Sequence, residues 1–146
     1  MYFNIDEDGN VRESKNALGL ENFWVYPSIL VCFTKINHKC YLSTVFLGID
    51  HNYSFYGPPI IYESMLFGYE KEIMLRYSTR EEALEGHLRI LLSLNVQERD
   101  IFSLNAFNKN GFGSARFHIK ALKHFKQLME DKKFLESVET LNQNDF

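Results

Sequence analysis

Four side chains able to do acid–base or metal chemistry fall in one stretch of the chain: Asp50, His51, Glu63 and His87. Two imidazoles and a carboxylate can hold a divalent metal in an open facial arrangement, or serve as acid and base on a bound substrate. On that reading His51, Glu63 and His87 are the catalytic and metal-ligating set of a small metal-dependent hydrolase or nuclease. The same residues have plainer roles. A histidine at a strand end bonds loop backbone, and one on an apolar helix face is commonly a hydrogen-bonded core residue. Glu63 is the sharper test, because an ionised carboxylate inside a packed strand is costly unless paired. It must face solvent or meet Arg76, His51 or His87.

The second chemical feature is the loop Asn52-Tyr53-Ser54-Phe55-Tyr56-Gly57, three rings set between polar residues. Tyr and Phe supply contact area at low conformational cost, so such a loop suits partner recognition, and it could equally stack on a nucleotide base or fold back as a lid. The binding set on this reading is Asp50, His51, Tyr53, Phe55, Tyr56, Glu63 and Arg76, with no catalytic residue. A third feature, Gly111-Phe112-Gly113-Ser114 ahead of Arg116, Lys120, Lys123 and Lys126, has the outline of a phosphate-binding turn. The full phosphate-loop and dinucleotide patterns are absent, and lysines at steps of three are also what a solvated helix face looks like. The acidic run Asp6-Glu7-Asp8-Gly9-Asn10 is not a calcium loop, since the position that needs a bidentate glutamate is Ala17. It reads as a solvated hairpin turn.

The elements that must position these groups are legible. Ile29–Thr34 and Tyr41–Ile49 are β-rich runs about the turn Asn37-His38, which as a two-residue turn sets Cys40 opposite Lys35 and Cys32 opposite Ser43. The two cysteines are then poor disulfide partners and read as reduced thiols. Both alternate faces of Tyr41–Ile49 are apolar, as in a central strand covered on both sides. Pro58-Pro59 starts a third run through Phe67, and Ile73–Tyr77 extends the meander. Phe23–Pro27 reads as a strand broken at its proline. Thr79 with Glu82 three residues on is a capping box, opening a helix to Leu94 whose inner face is Leu84, His87, Leu88, Leu91 and Leu92. Gly86 beside His87 signals a neighbour that needs room. The segment 101–107 is ambiguous. Further helices are expected over 115–129, with Phe117 or His118, Leu122, Phe125 and Met129 as its stripe, and over 134–141, with Phe134, Leu135, Val138 and Leu141.

At 146 residues, 45% hydrophobic and 24% charged with net charge −3, the chain reads as one domain, 1–146, able to bury its own core. Within it a sheet-plus-helix unit covers about 23–95 and a helical segment about 115–141. The expected fold class is α+β: an antiparallel β-meander of roughly three to five strands packed against two to three helices. Slight acidity argues against nonspecific nucleic-acid binding. No apolar run reaches the ~20 residues of a membrane span, and no secretory signal opens the chain. A cytoplasmic protein is expected, with homo-oligomers left open. No resident cofactor is called for outside the metal reading.

The central stretch also resembles a family. Ser43-Thr-Val-Phe-Leu-Gly-Ile-Asp-His51, Gly57-Pro-Pro-Ile-Ile-Tyr-Glu-Ser-Met-Leu-Phe67, Arg76-Tyr-Ser-Thr-Arg-Glu-Glu-Ala83 and Gly86-His87 are similar to a group of small, uncharacterised proteins encoded by bacteriophages and prophages. The resemblance stops short of the first forty residues and of everything after Leu94. It brings no activity and assigns no catalytic residue. What it implies is context: an accessory protein in the bacterial host cytoplasm that modulates or inhibits a host or anti-phage defence component, by binding a protein or sequestering a nucleotide signal. A virion structural component is a further alternative.

Overall fold

The computed structural model describes residues 1–15, 29–54, 56–70, 72–103 and 115–144, with backbone alone for 115–118 and 141–144. Among the described residues six strands and four helices follow in the order β1 (Tyr2–Ile5), β2 (Val11–Ser14), β3 (Leu30–Lys35), β4 (Tyr41–Phe46), β5 (Tyr62–Phe67), β6 (Ile73–Tyr77), α1 (Arg80–Ser93), α2 (Glu98–Ile101), α3 (Ala115–Leu128) and α4 (Lys132–Asn144). The fold is α+β. Strands β3 to β6 form a four-stranded antiparallel meander in sequence order, and β1 with β2 forms a separate hairpin.

The acidic turn of that hairpin is a turn-former. Asp6 Oδ1 accepts from the amides of Asp8 and Asn10, both at 2.9 Å, and Gly9 takes a positive φ of 88° that suits glycine. Strand β1 leans on the end of β4, through a bridge from Tyr2 to Ile49 and a bond from the Asp50 amide to the Met1 carbonyl.

The turn between β3 and β4 corrects the expected register. Asn37 Oδ1 accepts from the amides of Lys39 and Cys40, and the Cys40 carbonyl accepts from Ile36 and Asn37. The loop therefore takes residues 36–40, so Lys35 faces Tyr41 and Cys32 faces Thr44. A two-residue turn would have set the pairing one residue off. Both thiols are free and buried.

Strand β4 is central, as its composition suggests, but its two faces differ. On one face Cys32, Thr34, Leu42, Thr44, Phe46, Tyr62, Ser64 and Leu66 are buried. On the other, Leu30 and Phe33 are buried against a half-buried Val45, Leu47 is half-buried, and Tyr41 and Ile49 are exposed, so the cover expected on the second face is partial among the described residues. There Phe33, Tyr41 and Phe67 stack across three strands, with ring centroids 5.2 and 4.8 Å apart.

Helix α1 begins where the sequence places it. Thr79 Oγ1 accepts from the Glu82 amide at 3.1 Å, satisfying an otherwise orphaned donor. It buries Leu84, His87, Leu88 and Leu91. The neighbour that Gly86 makes room for is the Tyr77 ring on β6, which an added Cβ would overlap. The start of the ambiguous segment closes the short α2 and buries Ile101; residues 104–107 lie outside the described set. Leu122 and Phe125 of α3 and Phe134 and Val138 of α4 are buried as their spacing predicts, while Leu135 is exposed. One cluster of buried side chains runs from Phe3 to Val138 and draws on both ends of the chain. The expected strand at 23–27, the glycine turn at 111–114, and the side chains of Arg116, Phe117, His118 and Leu141 lie outside the described residues.

Candidate functional site

The acid–base residues go to different places. His87 is fully buried on the helix-covered face of the sheet. Its Nε2 lies 2.9 Å from Thr34 Oγ1 and its Nδ1 2.7 Å from Thr44 Oγ1, which in turn lies 2.5 Å from Ser64 Oγ. A neutral imidazole donates from one nitrogen and accepts at the other, so the two threonines satisfy it fully. Its ring stacks on Phe125, with centroids 5.8 Å apart and planes 14° apart. His87 is thus a hydrogen-bonded core residue joining α1 to β3 and β4.

Glu63 is on the other side of the sheet. Successive strand residues point to opposite faces, and its neighbour Ser64 is the one joined through Thr44 to His87. Glu63 meets Arg76, its register partner on β6, with Nε donating to Oε2 at 2.9 Å. Of the partners open to it, the cross-strand arginine is the one the fold supplies. The sheet therefore separates Glu63 from His87, and the set His51, Glu63 and His87 does not converge. Among the described residues no three His, Cys, Asp or Glu side chains cluster as metal ligands would.

What the fold does assemble is the loop after β4. Asp50 Oδ1 accepts from the amides of Asn52 at 2.8 Å and Ile60 at 2.9 Å, tying the two stems together, and the His51 amide donates to the Ile60 carbonyl. Inside the loop Asn52 is the hub. Its Nδ2 donates to the carbonyls of Tyr56 at 3.0 Å and Pro58 at 2.9 Å, and its Oδ1 accepts from the amide and hydroxyl of Ser54. Ser54 Oγ lies 2.7 Å from the Tyr56 carbonyl as well, and Gly57 closes the turn at a φ of 90°. On this polar frame Tyr53 is 84% and Tyr56 85% exposed. His51 packs edge-on to Tyr53, 6.3 Å between centroids, with Nδ1 and the phenol oxygen 3.5 Å apart, too long for a strong hydrogen bond. Phe55 lies outside the described residues. The lid alternative does not hold for Tyr53 and Tyr56.

The hub role of Asn52 goes beyond what the loop's rings suggest, although Asn-x-Ser before a glycine carries the signature of a side chain capping its own turn. Thr34, Thr44 and Ser64 are further additions. The signal was hydroxyls at register positions in apolar strands, which need a buried partner.

A separate cleft of about 450 Å³ lies between the β1–β2 turn and the first turn of α1, lined by Asp8, Tyr62, Ser78, Arg80, Glu81 and Lys120 among others. Its two acids and two cations balance. Burial raises the Tyr62 phenol to about 12 and the Cys32 thiol to about 12. No helix among the described residues is long and apolar enough to cross a membrane. Comparison with protein-family models, with curated proteins and with solved structures returns no match.

Proposed function

We propose that this chain is a non-enzymatic binding protein that captures its partner through the loop at 52–57, with Tyr53 and Tyr56 as the contacting side chains. The observation that carries the reading is the pairing of two tyrosines more than four-fifths exposed with a loop frame whose amides and side chains are tied down. Large rings held out in water lose nothing when a partner covers them, and a loop ordered beforehand saves the entropy of ordering on binding. The resemblance to phage-encoded proteins supports the setting: an accessory protein acting in the bacterial cytoplasm on a host or anti-phage defence component. The alternative of a metal-dependent hydrolase draws less support, because it needs His51, Glu63 and His87 together, whereas Glu63 is held by Arg76 and His87 by two threonines on the opposite face.

The experiment is capture from lysate of phage-infected bacteria, read by native mass spectrometry, with the native chain and with Tyr53→Ala/Tyr56→Ala. Loss of two such contacts weakens capture by about tenfold or more. Undiminished capture by a folded double variant overturns the proposal.

A further inference from the structure

We infer that the loop takes a protein segment bearing an arginine or lysine side chain, rather than a nucleotide. The inference rests on the reading of the loop as a binding surface and adds the chemistry of what is bound. A nucleotide's phosphates need cations or unspent backbone donors. Between Leu47 and Ile61 the chain has no Lys or Arg, and its formal charge is the Asp50 carboxylate. The amides of His51, Asn52, Ser54 and Ile60 are already committed to Ile60, Asp50, Asn52 and Asp50 respectively. With no cation and these four amides committed, a phosphate would have to rely on the few amides that remain in the loop.

A cation is suited on three counts. The faces of Tyr53 and Tyr56 carry the negative side of the ring quadrupole, which attracts guanidinium and ammonium groups. Both amides that Asp50 receives fall on Oδ1, so Oδ2 is the oxygen that holds an incoming guanidinium. The net charge of −3 draws cations toward the molecule at long range. The surface also extends past the loop. Ile49 is 41% and Met1 66% exposed, and the bond from the Asp50 amide to the Met1 carbonyl, with the Tyr2–Ile49 bridge, brings their backbone next to that of Asp50. Exposed apolar side chains at the stem of the loop suit a peptide that brings aliphatic groups along with its cation. A free mononucleotide has none to bring.

The test is NMR titration of the intact chain with three probes: an acetylated glycine–arginine pentapeptide, the same peptide with glutamate in place of arginine, and adenosine monophosphate. The arginine peptide is expected to give saturable shifts of the Tyr53 and Tyr56 ring signals and of the Asp50 amide. Affinity should drop about tenfold in Tyr53→Ala/Tyr56→Ala and several-fold between about 50 and 500 mM salt, as screening shortens. The other two probes should leave the rings unmoved. Equal or stronger shifts with the nucleotide or the glutamate peptide overturn the inference while leaving the loop a binding surface. Rings that no probe moves also overturn it, and the capture experiment then decides separately whether the loop binds a partner at all.

Discussion

His87 shows how a residue type with catalytic potential is spent on structure. Each ring nitrogen reaches a threonine hydroxyl, and the ring stacks on Phe125, so the side chain supplies both polar satisfaction and packing at the junction of α1 with the sheet. Truncation to alanine removes the ring and takes one hydrogen bond from each of the Thr34 and Thr44 hydroxyls, while Thr44 keeps its bond with Ser64. His87→Ala should therefore cost about 2–4 kcal/mol, the sum of the cavity left by the ring and the lost hydrogen bonds. Urea denaturation checks this: the midpoint falls while partner capture by the remaining folded fraction is unchanged. A variant that kept native stability but lost capture would give His87 a role that its burial denies.

Among elements, the loop at 52–57 depends most on a single side chain. Asn52 bonds the Tyr56 and Pro58 carbonyls from one end of its amide and Ser54 from the other, and alanine there removes all of these at once. The sheet does not rely on them, because Asp50 clamps the stems below. Asn52→Ala is expected to leave global stability within about 1 kcal/mol of native. It should weaken partner capture by about tenfold, through loss of preorganisation rather than of contact area. Amide hydrogen exchange together with capture would check it. Native-like protection of β4 and β5 alongside weakened capture is the expected pattern, and undiminished capture would show that the loop frame is not what presents the rings.

For the molecule as a whole, stability at alkaline pH follows from where its acids are buried. The Cys32 thiol has an ordinary pKa of 9.0 and burial raises it to about 12; the Tyr62 phenol goes from 10.0 to about 12 for the same reason. The native state holds each proton more tightly than the unfolded chain. The stabilisation is complete below the unfolded pKa and is lost as pH climbs toward the folded one. Between about pH 9 and 12 each such group steepens the loss by at most about 1.4 kcal/mol per pH unit. Cys32→Val keeps the side chain apolar and removes its proton. Urea unfolding across that range should show the variant losing stability less steeply than the native chain, and parallel curves would contradict the burial assigned to Cys32.

Much of the architecture could be read before any coordinates. Alternating apolar runs broken by Gly and Pro define a meander, Thr79 with Glu82 marks the start of α1, and the spacing of Leu122, Phe125, Phe134 and Val138 marks the buried faces of α3 and α4. These signals are local: each depends on residues within a turn or a strand of one another. The β3–β4 register departs from the two-residue expectation because the Asn37 side chain lengthens the turn, and composition does not reveal which of its bonds a side chain will choose.

The candidate site was less legible, since convergence is a property of the tertiary structure. That Asp50, His51, Glu63 and His87 lie near one another in the chain says nothing about which side of a sheet each will face. Strand parity and pairing put Glu63 against Arg76 on one side and His87 among hydroxyls on the other. By itself the chain determined that a ring-rich loop would join β4 to β5. Only the fold decided that Tyr53 and Tyr56 stand in solvent, because the Asn52 amide and one oxygen of Asp50 brace the loop's backbone from within.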